Sequence, residues 1–330
     1  MLASVLMPAR NHGRYITEAI ESFLEQDFSS IEKNGVPEVE LIISDDDSDD
    51  STFEIARGFA ERFPERIRVY SHKKRLGLIG NYRFLLNMTD AVYVAVLESD
   101  DFWLEKDKLS VGVSYMEKNP ECGLVFSGCR TVDADGKNIG VMSAEEHYYK
   151  PREAYGKLLF SNFIPAVTVC FRKKIADEYC NLNDYESLGF TTFDFPVWLA
   201  ISAVSGVYSN GSISAAYRIT SSSISNSGDY EKRKAFQEGR EKIVDYTLNR
   251  FGYDGSLSEL RNEEVVKRML LALSFGKYSG YFYFCRKIKV IDVRSFVMRF
   301  LPVLFILRKR AIIGTGALSV AAAIRKNERK

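Results

Sequence analysis

Between Ala91 and Trp103 an apolar run (Val92, Tyr93, Val94, Ala95, Val96, Leu97) breaks into Glu98, Ser99, Asp100 and Asp101. Such an unbroken apolar run fits a strand covered on both faces, which requires a sheet with layers on either side. The clustered carboxylates repel one another and are costly to desolvate together, so they either face water or neutralise a cation. Oxygen donors alone suit a hard divalent ion, Mg²⁺ or Mn²⁺, held by one or two carboxylates together with substrate phosphates. The competing reading is an acidic turn in which Asp101 caps a helix from about Leu104.

The flanking pattern predicts that this strand lies in an α/β fold. Ser4–Met7, Val39–Ile43 and Ile67–Tyr70 are further short apolar runs. They alternate with amphipathic stretches near Tyr15–Leu24, Thr52–Phe63 and Gly80–Met88. Alternation at this length implies right-handed βαβ units and a mainly parallel sheet flanked by helices. In such sheets ligands bind beyond the carboxyl ends of the strands, here Pro8–Asn11, Asp45–Asp50, His72–Gly77 and Glu98–Asp101.

From Leu104 the alternation loosens. A helix is predicted near Glu105–Lys118, a strand at Gly123–Ser127 and a turn at Asp133–Gly136, followed by a helix near Phe195–Val204 and a strand near Ser212–Arg218. Ser221–Ser227 reads as a loop over the cleft, and Gly228 onward as mostly helical. Between about Val132 and Thr191 there is no readable signature.

The 330 residues suffice for one large domain or two units, and 46% hydrophobic with 27% charged residues is ordinary for a globular protein. The five cysteines form no CxxC pair and have no His at metal-ligand spacing, which reads as reduced thiols in the cytoplasm. Three histidines in all argue against a zinc-type site. No signal peptide is expected, because Ala3–Met7 already reads as core. The near-neutral total conceals an acidic body and a basic tail. From Cys285 to Lys330 twelve Lys and Arg face only Asp292 and Glu328, a net +10 that leaves −9 on residues 1–284. The stretch 295–330, weakly apolar and flanked by Arg308–Arg310 and Arg325–Lys330, suits contact with an anionic membrane surface. A C-terminal helix packed on the body is the alternative.

Four segments, in order and spacing, resemble the inverting family 2 glycosyltransferases with the GT-A fold. They are Ser4-Val-Leu-Met-Pro-Ala-Arg-Asn11, the acidic stretch Leu41–Thr52, Leu97-Glu98-Ser99-Asp100-Asp101-Phe102-Trp103, and Phe193–Leu199 with Ala216-Tyr217-Arg218 downstream. The resemblance covers about residues 3–225. It implies a catalytic domain over 1–225, with a nucleotide-sugar half at about 1–103 and an acceptor half at about 104–225. A helical C-terminal region with the basic tail would occupy 226–330.

The resemblance further implies a nucleotide-sugar donor, most simply a UDP-sugar, and a glycan or lipid-linked acceptor in cell-surface polysaccharide synthesis such as O-antigen or capsule. It places the chain at the inner face of the cytoplasmic membrane, with no nucleic-acid partner. Pro8, Ala9 and Asn11 would line the base, and Asp45 or Asp46 would accept from the base or ribose. Arg75 and Asn81, flanking a glycine-rich turn, would reach phosphate or sugar. Asp100 and Asp101 would hold Mg²⁺ or Mn²⁺ beside Glu98 and Ser99, and Asp194 would be the general base. Asn11 also reads as a helix cap, and Asp194 as a cap of the helix that follows it. Many relatives carry a His shortly after the Tyr-Arg pair. Here Ile219-Thr220-Ser221 stand instead, so that contribution to the diphosphate clamp is missing or is supplied by Arg218, Thr220 or Ser223. Two rivals remain: a non-catalytic nucleotide-sugar-binding assembly protein, and a sugar-1-phosphate nucleotidyltransferase, whose basic glycine-rich opening loop Pro8–Gly13 lacks.

Overall fold

The computed structural model describes residues 1–33, 36–220 and 227–288. Most of the predicted Ser221–Ser227 loop and the whole basic stretch 295–330 lie outside them. Packing divides the chain into two compact units, Met1–Gly255 and from Ser256 onward.

The first unit is a mixed α/β body. Its opening half alternates β1 (Ala3–Ala9), α1 (Ile16–Leu24), a short hairpin of β2 (Glu32–Lys33) and β3 (Val36–Pro37), β4 (Val39–Asp45), α2 (Thr52–Arg62), β5 (Ile67–Ser71), α3 (Gly77–Asn87) and β6 (Tyr93–Val96). The strands lie side by side in the order β5-β4-β1-β6, all parallel, with Ala3 opposite both Val39 and Tyr93. Every residue of β4 and β6 is buried, as expected for strands sandwiched between helix layers. The chain steps outward from β1 to β5 and then returns to β6 on the other side of β1. The carboxyl ends of β1, β4 and β6 therefore meet at a topological switch point.

The second half extends the same sheet. After β7 (Phe102–Trp103) and α4 (Lys108–Lys118) come β8 (Cys122–Val132), β9 (Asn138–Met142), β10 (His147–Tyr149) and α5 (Glu153–Phe160). Then follow β11 (Cys170–Arg172), α6 (Lys173–Tyr179), α7 (Leu182–Ser187), α8 (Asp194–Val204), β12 (Gly206–Arg218) and α9 (Tyr230–Phe251). Strand β11 is antiparallel to both β6 and β8, and β12 runs parallel to β8, so the sheet continues as β6-β11-β8-β12-β10. The turn expected at Asp133–Gly136 joins β8 to β9, with Gly136 at φ +80 and its N–H on the Asp133 carbonyl at 3.0 Å. The apolar core gathers Val5, Met7, Ile20, Phe23, Leu41, Ile43, Ala95 and Leu97 with Leu109, Val125 and Ala215 from the second half, which fuses the two halves into one body.

The unit from Ser256 onward contains α10 (Leu257–Ser274) and α11 (Tyr278–Cys285). Ser256 caps α10 by accepting the Glu259 N–H. Among the described residues no helix is long and apolar enough to cross a membrane.

Candidate functional site

The turn that follows β6 brings Glu98, Asp100 and Asp101 together, with one carboxylate oxygen of each within 4.8 Å of the others. The turn is closed by the Asp101 N–H on the Glu98 carbonyl at 3.0 Å. Asp101 is 1% exposed. Its Oδ1 accepts the backbone N–H of Arg218 at 2.7 Å, whereas its buried Oδ2 has no hydrogen-bond partner among the described residues. Burial first, and then repulsion by Asp100 and Glu98, push the Asp101 carboxyl well above the usual carboxylate range. Burial, followed by Asp100 and Asp194, raises Glu98 to about 8. An orphaned buried oxygen among crowded carboxylates is the environment that a hard cation relieves, so these residues fit a divalent ion. The cap reading of Asp101 fails, because the next helix begins only at Lys108.

Arg218, expected near the diphosphate, is 2% exposed and engaged within the protein. Its Nε donates to the Asp100 carbonyl at 2.8 Å, and its Nη1 donates to the carbonyls of Asp133 and Ala134 at 3.2 and 3.3 Å. Its Nη2 pairs with Glu18, and the guanidinium lies 4.7 Å from the Tyr15 ring centroid. Arg218 thus ties the end of β12 to the acidic turn and aims its own amide at Asp101.

Strand ends on the other side of β1 carry the acidic loop. Asp45, 2% exposed, accepts from the Ser48 amide at 3.2 Å and from its hydroxyl at 2.5 Å. Asp46 accepts the N–H groups of Leu76 and Gly77 at 2.5 and 3.0 Å, and so caps α3 from outside, where Leu76 itself supplies no cap. Gly77 is at φ +76, a conformation that favours glycine in this turn. Arg75 is largely exposed, with Nε 3.8 Å from Asp46. Asn81 is buried, its Nδ2 donating to the Ser44 carbonyl at 3.0 Å.

Asn11 does not cap α1. It sits at φ 54, takes the Asp49 N–H on Oδ1 at 2.9 Å and donates its own N–H to Ser48 Oγ at 2.9 Å. The Ala9 carbonyl accepts from Asp46 N–H at 2.9 Å, and the Pro8 carbonyl from Ser99 Oγ at 3.0 Å. The loops after β1, β4 and β6 are thereby laced together. Asp50 accepts the Thr52 N–H at 2.9 Å at the start of α2 and also the Gly13 N–H at 2.9 Å.

Asp194 is the first residue of α8, one position inside the helix, so it does not occupy the cap position itself. Asn162 donates Nδ2 to its Oδ2 at 2.9 Å. Burial raises its proton affinity, and hydrogen bonds from Phe195 and Asn162 only partly offset this. Tyr82 of α3 connects this region with the acidic turn. Its hydroxyl donates to Glu98 Oε1 at 3.0 Å, and its ring stacks on Phe193 at 3.8 Å with an interplanar angle of 7°.

Tyr82, Asn162 and His12 escape a reading of the sequence. Tyr82 looks like any apolar-face residue of a helix, and Asn162 falls in the stretch without signature. His12 stands directly after the expected donor loop, which was its one available signal.

The sequence profile described as "Glycosyl transferase family 2" matches residues 4–180. The chain is 30% identical over 176 residues to an uncharacterized protein of Mycobacterium tuberculosis, covering 52% of this chain and 47% of that protein. It therefore spans about half the length of that relative. A UDP-Glc:α-D-GlcNAc-diphosphoundecaprenol β-1,3-glucosyltransferase of Escherichia coli, WfgD, is 26% identical over 227 residues, covering 68% of this chain and 80% of the enzyme. The structure of residues 1–349 of Staphylococcus aureus TarS with UDP-GlcNAc superposes with a TM-score of 0.58 at 18% identity, covering 91% of this chain and 79% of that one. That likeness gives the fold, a GT-A sheet flanked by helices. The profile covers more than half of the chain and includes the donor-side strands and the acidic turn, and this chain belongs to glycosyl transferase family 2.

Proposed function

We propose that the protein transfers a sugar, with inversion, from a nucleotide-sugar to a glycan or lipid-linked acceptor during cell-surface polysaccharide synthesis. The observation that carries this reading is the pairing of two acidic centres through Tyr82: a crowded carboxylate turn with an orphaned buried oxygen, and a separate basic carboxylate at Asp194. A UDP-sugar is the proposed donor, and the UDP-glucose named as the donor of the E. coli relative supports it. The lipid-linked acceptor class draws on the same relative and implies work at the inner face of the cytoplasmic membrane.

In this reading the loops after β1 and β4 cradle the nucleoside through Pro8, Ala9, Asn11 and the Asp45–Asp46 turn. Asp194 accepts the proton of an acceptor hydroxyl as that oxygen bonds to the anomeric carbon from the face opposite the diphosphate. The carbon–oxygen bond to the diphosphate breaks in the same step, and the leaving group takes its electron pair. Asn162 fixes the carboxylate of Asp194, and burial makes it a stronger base than a solvated aspartate. Asp100 and Asp101, with Glu98 beside them, would hold Mg²⁺ or Mn²⁺, which when bound neutralises charge on the diphosphate.

Calorimetry with UDP, GDP, CDP and TDP, each with and without Mn²⁺, tests the donor side, and release of the nucleotide from a UDP-sugar tests the chemistry. Asp194→Asn should keep Mn²⁺-dependent UDP binding while turnover falls about 10²–10⁴-fold. Full turnover in that variant would assign the base elsewhere. Binding without any turnover in the wild type would favour a non-catalytic assembly protein.

A further inference from the structure

His12 lies at the edge of the acidic turn, with its ring between Ser99 and Asp100. Its Nδ1 is 2.8 Å from Ser99 Oγ, and that same oxygen donates to the Pro8 carbonyl at 3.0 Å. A serine hydroxyl has one proton, and the proline backbone offers only an acceptor. Both contacts are satisfied together only when His12 carries its hydrogen on Nδ1 and donates it to Ser99. In the neutral ring Nε2 then presents a lone pair, and it lies 3.7 Å from Asp100 Oδ2. In that form of the ring two electron-rich atoms face each other with no proton between them. Asp100 is in turn followed by Asp101, whose buried Oδ2 has no partner among the described residues. The ring's position is fixed by the protein itself: the His12 N–H donates to Thr52 Oγ1 at 2.8 Å, and the ring meets Tyr15 edge-on at 6.2 Å between centroids. One imidazole nitrogen held by a protein acceptor, with the other offered beside carboxylates, is the arrangement of a metal-binding histidine.

We propose that His12 Nε2 is a nitrogen ligand to the divalent cation held by Asp100 and Asp101. The inference rests on the cation reading of the acidic turn given above. It adds a borderline donor to an otherwise all-oxygen set, which favours Mn²⁺ over Mg²⁺. Ser99 acts as the positioning residue that selects the tautomer.

The test uses the full chain with Mn²⁺ and inorganic pyrophosphate, a phosphate source that contains no nitrogen. Electron spin echo of the bound Mn²⁺ should show ¹⁴N modulation from a coordinated imidazole in the wild type. In His12→Gln that modulation should vanish, with Mn²⁺ affinity down at least about tenfold and Mg²⁺ affinity changed less. Ser99→Ala should retain the modulation while weakening Mn²⁺ about 10–100-fold, the size seen when an outer partner of a liganding histidine is lost. Mn²⁺ that binds in an Asp101-dependent manner without ¹⁴N modulation overturns the role of His12 and leaves the cation site standing. Mn²⁺ affinity unchanged in His12→Gln has the same consequence. No Asp101-dependent Mn²⁺ binding at all overturns the cation site and the ligand together.

Discussion

Arg218 shows how a buried charge can organise the loops around a site. Its guanidinium meets the carbonyls of Asp100, Asp133 and Ala134 and the carboxylate of Glu18, while its backbone amide holds Asp101 Oδ1. Those carbonyls diverge, and a planar fork reaches them all, whereas an ammonium cannot. Arg218→Lys should therefore cost about 2 kcal/mol in urea unfolding, the scale of lost buried hydrogen bonds to a charged group. It should also weaken Mn²⁺ binding, because the end of β12 loosens around Asp101. Unchanged stability and unchanged Mn²⁺ affinity would show that the clamp is dispensable. At this scale the carboxylates of the acidic turn and Asp194 could be picked out in the sequence as candidates. The sequence did not reveal that Arg218 would face inward or that Asp46 would cap α3, because hydrogen-bond partners 30 or more positions away are set by topology.

Among the elements, α4 begins with a residue that composition alone would place in water. Lys108 is 5% exposed, its Nζ has no hydrogen-bond partner among the described residues, and it lies 4.3 Å from the Trp103 ring centroid. Burial lowers its ammonium from the ordinary 10.5 to about 8. A lowered lysine pKa means that the unfolded chain binds the proton more readily between about 8 and 10.5. Stability from this group is therefore recovered as pH rises through that window, and the full cost of the buried charge is felt below it. Lys108→Met should stabilise the protein at pH 7 by up to about 3 kcal/mol, less the lost contact with Trp103. The gain should shrink by pH 10.5, as read from thermal midpoints at the two pH values. An equal gain at both would mean that the ammonium is not the source.

The helices and strands of the first half were legible from periodicity to within a few residues, since each buries a regular face. The stretch 132–191 was not. Strands β10 and β11 have three residues each and form only by pairing with longer strands, β10 at the edge against β12 and β11 between β6 and β8. Helix α8 is buried nearly all round, from Phe195 to Ala203, so it carries no amphipathic signal beyond its continuous apolar run.

For the molecule as a whole, the charge division is the property with a measurable consequence. An acidic portion at −9 and a basic tail at +10 should direct the tail, not the body, to anionic lipid. Each Lys or Arg near such a surface contributes about 1 kcal/mol and is screened by salt. The full chain should co-sediment with vesicles rich in anionic lipid at low salt and leave them at high salt. Sedimentation indifferent to lipid charge and to salt would exclude this role for the tail.

By itself the sequence determined the α/β class, the four acidic or polar strand ends, the family and the charge asymmetry. The family follows from the resemblance of four segments, and the rest from local pattern, periodicity or composition. Only the tertiary structure decided that the ends of β1, β4 and β6 share hydrogen bonds, that Tyr82 joins Glu98 to Phe193, and that His12 faces Asp100. Those contacts depend on strand order and register, through which packing of the buried core brings residues distant in sequence within a few ångströms of one another.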